Sequence, residues 1–239
     1  MRYIISDIHG CYNQYKQLLQ KINFSDSDTL YILGDAVDRG PEPIKVLQDI
    51  MMRPNVIYIL GNHDYMMLVA LRKLVAEITE ESCNQVTTDD LMNYYHWTED
   101  GGEITARQFK ALSKDEQLDM IDFLEDATTY EIVPCKNKLY ILVHAGIANF
   151  DEEKDLDEYE FWDFIDERPD YEKRYYQNEK IYVVTGHTPT ALIREDRKPL
   201  VFQENGHIAI DCGCVFGGQL AAYCMETGDV VYVEGERND

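Results

Sequence analysis

Aspartate, asparagine and histidine recur in short turns that follow apolar runs of this 239-residue sequence. Asp-Ile-His stands at residues 7–9, Gly-Asp-Ala-Val-Asp-Arg-Gly at 34–40 and Gly-Asn-His-Asp at 61–64. His-Ala-Gly at 144–146 and Gly-His-Thr at 186–188 follow two later apolar runs. Gathering such carboxylates and imidazoles in one buried place is costly unless a cation neutralises them. The residue types and their spacing therefore predict a metal site.

The donor types indicate which ions the site would bind. Carboxylate, amide and imidazole ligands without a thiolate suit borderline divalent ions, so Mn²⁺ is the expected ion, with Fe²⁺ or Zn²⁺ as alternatives. This many donors can hold two ions, and two metals roughly 3.5–4 Å apart clamp a phosphate and generate a hydroxide nucleophile near neutral pH. The residues alone therefore predict a two-metal phosphoester hydrolase.

The elements that must position these turns alternate along the first 76 residues. Strand-like runs occupy Tyr3–Ile5, Leu30–Leu33 and Val56–Leu60, and apolar residues at helical spacing occupy Asn13–Ile22, Ile44–Met52 and Tyr65–Glu77. This βαβαβα order predicts an α/β fold with a parallel sheet and right-handed crossovers. Ligand sites in such sheets form beyond the carboxyl ends of the strands, which is where the polar turns stand.

Residues 78–130 have a different pattern, because they are polar, favour helix and lack strand-like runs. We interpret them as a helical cap or insert within one domain that spans residues 1–239. Strand signals return at Leu139–Val143, Ile181–Val184 and His207–Ile210, and a hairpin of Leu220–Met225 and Val230–Val233 closes the pattern.

Charge and composition restrict the partners. With 45 Asp and Glu against 22 Lys and Arg, the net charge of −23 disfavours nucleic acids and anionic membranes. No segment approaches the roughly 20 apolar residues that span a bilayer. Residues 151–167 hold ten acids and one lysine, which predicts a solvated face or, alternatively, an acidic rim that tolerates basic peptides. The six cysteines lack a disulfide-framework pattern and predict reduced thiols in a cytoplasmic protein: Cys11, Cys83, Cys135, Cys212, Cys214 and Cys224.

In this order, the five turn motifs resemble those of the calcineurin-like metallophosphoesterases. The resemblance spans residues 6–188, and Ile210–Gly213 with Gly218–Leu220 is similar to the closing strands of that family. Within it, the motifs are most similar to the serine/threonine phosphoprotein phosphatase branch and its bacterial relatives, which include the symmetrical diadenosine tetraphosphatases. The resemblance implies a four-layer α/β sandwich with two central mixed sheets flanked by helices.

The resemblance also implies a role for each motif residue. Asp7 and His9 would bind the first metal, Asp35 would bridge both metals, and Asn62, His144 and His187 would complete the second. A hydroxide between the ions would attack phosphorus directly. His63, oriented by Asp38, would protonate the leaving oxygen as the general acid. Arg39 would hold the phosphate oxygens, with Asn62 beside it.

Two positions depart from the protein-phosphatase pattern. Leu60 stands where many of those enzymes have an arginine before Gly-Asn-His, and Phe164 stands at the arginine of Trp-x-Arg. Arg39 is thus the only phosphate-binding arginine that the motifs supply, and candidates to replace the others are Arg72, Arg107, Arg168 and Arg174. Leu60 is typical of the dinucleoside tetraphosphatases, whereas Asp-Arg-Gly at 38–40 is typical of the protein phosphatases.

The sequence therefore predicts a metal-dependent phosphomonoesterase similar to serine/threonine protein phosphatases, acting on a phosphorylated protein or a small phosphoester. The alternative enzyme is a symmetrical dinucleoside tetraphosphate hydrolase, whose substrate needs a locally basic mouth in so acidic a protein. A nuclease would need a basic track that the sequence lacks. A non-catalytic metal-binding scaffold is the hypothesis from another class, and the complete ligand set argues against it.

Overall fold

A computed structural model of the chain describes residues 1–75 and 87–236, which form two five-stranded sheets flanked by helices. The strands are β1 (Arg2–Ile5), β2 (Thr29–Ile32), β3 (Val56–Tyr58), β4 (Tyr130–Cys135), β5 (Lys138–Val143), β6 (Ile181–Thr185), β7 (Phe202–Glu204), β8 (His207–Ala209), β9 (Gln219–Cys224) and β10 (Val230–Glu234). The helices are α1 (Tyr12–Lys21), α2 (Pro43–Met51), α3 (Asn62–Val75), α4 (Thr88–Trp97), α5 (Glu103–Lys110), α6 (Lys114–Glu125), α7 (Trp162–Ile165) and α8 (Thr190–Ile193).

Both sheets are mixed. The first has the order β10-β9-β1-β2-β3, in which β1, β2 and β3 are parallel and β9 and β10 are antiparallel neighbours. The second has the order β4-β5-β6-β8-β7, in which β5, β6 and β8 are parallel and the two edge strands are antiparallel. Each sheet therefore directs the carboxyl ends of its central parallel strands to one edge, where loops can form a site.

The hydrophobic core is divided between the layers. One buried cluster joins Ile4 and Leu33 of the first sheet to Leu142, Val184 and Ile208 of the second, so the two sheets pack face to face. A larger cluster lies between the first sheet and its helices, and a smaller one covers the other face of the second sheet around α7. The four-layer sandwich expected from the resemblance is thus confirmed.

Several elements differ from the sequence prediction. Helix α3 begins at Asn62 instead of Tyr65, so the Gly-Asn-His-Asp motif enters the first helical turn. Strands β4 and β7 were not predicted. Strand β4 lies at a sheet edge and contains Pro134, which removes a donor and obscures the strand pattern. The predicted insert contains α4, α5 and α6, and its boundaries at 78–130 stay a prediction because residues 76–86 lie outside the described residues.

Helices α4–α6 pack onto the helical side of the first sheet. Trp97, Phe109, Met120 and Leu124 are buried in the same cluster as the residues of α1, α2 and α3. The turn Thr98–Gly102 connects α4 to α5 and passes over the carboxyl edge of the first sheet, beside Arg39. This part of the chain therefore belongs to the core and reaches the predicted site.

Candidate metal centre

The predicted ligands converge from the ends of five parallel strands. Asp7 and His9 follow β1, and Asp35 follows β2. Asn62 opens α3 directly after β3, while His144 and His187 follow β5 and β6 of the second sheet. Because the two sheets face each other with these strand ends together, residues 125 positions apart in the sequence meet at one edge, as the 3.0 Å contact between His187 Nδ1 and Asn62 Oδ1 illustrates.

The backbone of the site is strained. Eleven non-glycine residues have a left-handed φ in the described residues, and six of them belong to the predicted site: Asp7, His9, Asp35, Asp38, Arg39 and His187. Hydrogen bonds between turns hold this geometry, since the Asp7 N–H donates to Gly34 O at 3.2 Å and the His9 N–H donates to Asp35 O at 2.9 Å. Strain of this kind persists only where surrounding contacts enforce it, and it is concentrated at functional sites.

Asp35 lies between the two groups of ligands. Its Oδ2 is 3.4 Å from His9 Nε2, and its Oδ1 is 3.6 Å from His144 Nε2. Asp7, Asp35 and His144 present ligand atoms that all lie within 4.8 Å of one another. A carboxylate with one oxygen toward each histidine has the arrangement that a residue shared by two cations requires.

Hydrogen bonds orient the histidines so that their lone pairs face inward. His144 Nδ1 donates to Leu33 O at 2.6 Å, and His9 Nδ1 donates to Val37 O at 2.8 Å. Burial lowers the pKa of both imidazoles well below its usual range, so both rings are neutral and Nε2 carries a lone pair. His144 Nε2 then points at Asn62 Oδ1 over 2.9 Å, which brings two acceptors face to face. A cation between such atoms resolves that conflict.

The buried carboxylates also indicate that a cation belongs at this site. Burial raises the pKa of Asp35 well above its usual range, and the neighbouring Asp7 and Asp64 carboxylates raise it further. Burial and then Asp211 raise the pKa of Asp7 in the same direction. Divalent cations would relieve both the desolvation and the repulsion, so the residues present fit metal binding.

His63, Asp38 and Arg39 lie beside the ligands. Asp38 Oδ2 accepts a hydrogen bond from His63 Nδ1 at 2.8 Å, and both side chains are buried. The Arg39 guanidinium donates from Nη1 to His9 Nε2 at 2.8 Å and from Nη2 to His63 Nε2 at 2.7 Å. The guanidinium therefore spans the two imidazoles at the mouth of the site, where a phosphate group could replace them as its acceptor.

The Asp64 carboxylate accepts from more groups than its place at the end of the Gly-Asn-His-Asp motif indicated. Asp64 Oδ2 accepts hydrogen bonds from the N–H of Asp35 at 2.8 Å, the N–H of Gly61 at 3.0 Å and the hydroxyl of Tyr58 at 2.7 Å. It thereby ties the turn after β2 to the start of α3. The Gly-Asn-His-Asp motif contains this signal only in its last residue.

Sequence reasoning also missed Trp97, Asp100 and Thr105, which lie in the predicted insert. Trp97 Nε1 donates to Asp38 Oδ2 at 2.8 Å and Thr105 Oγ1 donates to Asp38 Oδ1 at 2.7 Å. Asp100 Oδ1 accepts from Arg39 Nη2 at 3.3 Å. A polar stretch without strands gave no sign of these contacts, because they depend on where the turn Thr98–Gly102 passes.

A cavity of about 650 Å³ opens over the ligands. Its lining includes Arg39, Arg168 and five aspartates, so with every carboxyl ionised the formal charge of this mouth is −3: Asp7, Asp35, Asp100, Asp166 and Asp211. Two divalent cations would reverse the balance, since four positive charges exceed the deficit of three. Burial and the nearby Arg168 guanidinium also lower the pKa of His187 to about 4, which keeps that imidazole neutral.

The two departures from the motif pattern are apolar core positions. Leu60 and Phe164 are both buried. Of the four candidate replacements, Arg168 is the one that lines the cavity; Arg174 lies by Gly206, away from it. The exposed side chains of Phe216 and Leu192 form an apolar wall on the same cavity.

The other sequence expectations concern cysteines and membranes. Five cysteines are buried free thiols, and Cys83 lies outside the described residues. Cys212 and Cys214 join none of the potential metal-binding clusters found among residues 1–75 and 87–236. Among the helices of that part of the chain, none is long and apolar enough to cross a membrane.

The sequence matches the model of one known protein family. Residues 3–233, nearly the whole chain, match the family model of the calcineurin-like phosphoesterases. The chain belongs to this family. It is therefore a phosphoester hydrolase of a family that uses divalent metals, with candidate ligand groups for them at the strand ends.

Sequence relatives within the calcineurin-like phosphoesterases carry nucleotide-related names. The chain is 31% identical to "Bis(5'-nucleosyl)-tetraphosphatase PrpE [asymmetrical]" of Bacillus subtilis over an alignment that covers 92% of this chain and 88% of that protein. A relative of the same name from Bacillus velezensis is 29% identical and covers 97% and 91%. A symmetrical bis(5'-nucleosyl)-tetraphosphatase of Wigglesworthia glossinidia brevipalpis is 42% identical, but only over 33% of this chain and 29% of that protein.

Solved structures share the fold at low sequence identity. A crystal structure described as that of a candidate diadenosine tetraphosphatase superposes with a TM-score of 0.65 at 22% identity and covers all of this chain and 94% of the other. A serine/threonine protein phosphatase from Saccharomyces cerevisiae superposes with a TM-score of 0.55 at 14% identity, over 100% and 80% of the two chains. Both neighbours support the family fold and leave the substrate open.

Proposed function

We propose that this phosphoesterase hydrolyses a dinucleoside tetraphosphate at a two-metal centre. The observation that carries the proposal is the cavity that joins the candidate ligands, two arginines and an apolar wall. Phe216 is 64% exposed and Leu192 is 59% exposed, although both face the same cavity as Arg39. An exposed aromatic ring beside a phosphate-binding arginine suits a nucleobase attached to a phosphate chain. The names of relatives that align with more than nine-tenths of the chain favour the same substrate.

Six residues would hold two metals, with manganese as the expected ion. Asp7 and His9 would serve the first, Asp35 both, and Asn62, His144 and His187 the second. Bound divalent cations would polarise the phosphate oxygens and activate water for attack on phosphorus. Hydrogen bonds that His144 Nδ1 and His9 Nδ1 donate to Leu33 O and Val37 O fix the tautomers of these two histidines, so the chain presents ready ligand atoms.

Arg39 would bind the substrate phosphate, and His63 with Asp38 would supply the proton for the leaving oxygen. Asp38 holds His63 through Nδ1, which leaves Nε2 toward the cavity. A protonated His63 cannot accept from Arg39 at Nε2, so the acid form requires the guanidinium to move. We infer that a substrate phosphate draws Arg39 off the imidazoles, that the freed His63 Nε2 takes up a proton from solvent, and that it donates this proton to the leaving oxygen.

The substrate test compares three compounds on metal-stripped protein with Mn²⁺ restored: diadenosine tetraphosphate, a phosphoserine peptide and p-nitrophenyl phosphate. We expect the highest kcat/KM with diadenosine tetraphosphate. Asp35→Asn should abolish turnover, whereas the matched substitution Asp89→Asn, in the exposed first turn of α4, should not. Phe216→Ala should raise the KM for diadenosine tetraphosphate about tenfold and leave p-nitrophenyl phosphate unchanged.

A phosphorylated protein, the first expectation from the sequence, is the second candidate. Asp166, which lies in the acidic segment 151–167, lines the cavity and would favour a basic phosphopeptide. Faster hydrolysis of the peptide than of diadenosine tetraphosphate would replace our proposal by this one. Two bound metals per chain without turnover of any of the three compounds would favour the non-catalytic scaffold.

A further inference from the structure

The nine residues Trp97–Thr105, which we call the clamp segment, surround Asp38 and Arg39. Three of its side chains reach them: Trp97 and Thr105 donate to the Asp38 carboxylate, and Asp100 accepts from Arg39. Trp97, Thr105 and Asp38 have no exposed surface, so these hydrogen bonds are shielded from water. Contacts of charged groups in such a place are strong when satisfied and costly when one partner is removed.

The clamp segment also holds the backbone of the two residues. Asp38 and Arg39 have φ values of 69° and 65°, a left-handed conformation that non-glycine residues adopt at a cost. The Asp38 N–H donates to Thr105 Oγ1 at 3.0 Å, and the Arg39 N–H donates to Gly101 O at 3.0 Å. Both N–H groups of the strained pair thus have their partners in this one segment.

Both oxygens of the Asp38 carboxylate accept hydrogen bonds from the clamp segment. Asp38 Oδ1 accepts from Thr105 Oγ1 at 2.7 Å, while Oδ2 accepts from both Trp97 Nε1 and His63 Nδ1 at 2.8 Å. The two donors of the clamp segment therefore fix the plane of the carboxylate. Since His63 is bonded to that carboxylate, its plane determines where His63 Nε2 points.

Glycine allows the close approach. A Cβ on Gly102 would lie 2.5 Å from Trp97 Nε1, and a Cβ on Gly101, whose φ is 104°, would lie 2.7 Å from Arg39 Cγ. Both distances are shorter than a carbon can tolerate. The pair of glycines therefore lets the turn Thr98–Gly102 lie against the indole on one side and Arg39 on the other.

We propose that Trp97 and Thr105 are positioning residues of the reaction: their hydrogen bonds to Asp38 aim His63 at the leaving oxygen. The proposal rests on the proposed role of His63 as the general acid. Trp97 and Thr105 are buried and do not line the cavity that opens over the candidate ligands. They act on catalysis only through Asp38 and His63, so their loss should lower kcat and leave KM and metal content unchanged.

The test is a double-mutant cycle between Thr105→Val and His63→Asn, measured with Mn²⁺ on the best substrate. In the wild-type background we expect Thr105→Val to lower kcat by about tenfold or more, the effect of a lost hydrogen bond to a charged group. In the His63→Asn background the same substitution should change kcat by less than about twofold, because the residue through which it acts is gone. Thr105→Ser, which keeps the hydroxyl, should restore most of the activity.

Controls and a second variant keep the outcome decisive. Thr98→Val removes a hydroxyl of the same segment that donates to Tyr95 O, and Trp162→Phe changes a tryptophan that is 58% exposed. Trp97→Phe removes the indole N–H and serves if Thr105→Val fails to fold. Equal losses in both backgrounds, or a Thr105→Val no slower than Thr98→Val, would overturn the inference. Full activity of His63→Asn would instead refute the proposed acid and so the proposed mechanism.

Discussion

Alanine at Gly61 would place a methyl group where the turns after β2 and β3 touch. The new Cβ would overlap Asp35 Oδ1 and lie 2.5 Å from Asp35 N. Gly34, on the other turn, is equally close, since a Cβ there would lie 2.5 Å from Gly61 Cα. Backbone and the proposed bridging carboxylate must therefore move apart to admit one carbon.

Two quantities should change. Forcing an extra methyl group into packed surroundings costs about 1–3 kcal/mol of unfolding free energy. The turn cannot yield freely, because Asp35 N donates to the Asp64 carboxylate and Asp35 O accepts from the His9 N–H. The displacement therefore moves the Asp35 carboxylate together with the backbone that carries it. Disturbing the support of a metal ligand lowers affinity by about tenfold to a hundredfold, so we expect a loss of Mn²⁺ affinity in that range.

Gly228→Ala provides the matched control. Gly228 has a φ of 79°, lies between β9 and β10, and its new Cβ would meet only Tyr223 Oη, at 3.7 Å. Alanine in that left-handed conformation costs about 1–2 kcal/mol without touching the site. Urea denaturation of the metal-free variants gives the stabilities, and calorimetric titration with Mn²⁺ gives the affinities.

The two variants should lose similar stability, and only Gly61→Ala should lose metal affinity. Wild-type Mn²⁺ affinity in a folded Gly61→Ala would refute the idea that Asp35 is a ligand held in place by the crossing of the two turns. Equal affinity losses in both variants would show that metal binding merely follows global stability.

Two further outcomes follow from the charges of the site. Burial raises the pKa of Asp211 to about 6, so the ionised carboxyl opposes folding. As the pH rises from about 4 to about 7, Asp211→Asn should therefore become more stable than the metal-free wild type by on the order of 3 kcal/mol. Urea denaturation measures this, and a stability difference that stays constant over that pH range would contradict it. Arg39→Lys loses the forked guanidinium that spans the His9 and His63 imidazoles, so kcat/KM should fall by about tenfold or more. The control Arg53→Lys, at the remote ion pair with Asp49, should leave turnover intact. Unchanged steady-state kinetics in Arg39→Lys would contradict a phosphate-binding role.

The sequence alone indicated which strand ends carry the candidate ligands. Parallel strands end at a common edge of the sheet, so a polar turn that follows an apolar run can be placed at that edge from the sequence. The motifs at residues 7–9, 34–40 and 61–64 lie together there in the structure. The same local logic failed for β4, where Pro134 and edge exposure hide the strand, and for the start of α3, where Asn62 already belongs to the first turn.

Only the tertiary structure decided what surrounds those motifs. The packing of two separate sheets brings His144 and His187 to Asn62, and no periodicity in the chain encodes which face of one sheet meets the other. Trp97 and Thr105 reach Asp38 from a segment that reads as a polar insert, because a side-chain donor is recognised by its direction and distance and the sequence records neither. Spacing along a chain fixes neighbours within a strand or a helix turn, whereas contacts across some 60 to 120 residues depend on the collective packing of the core.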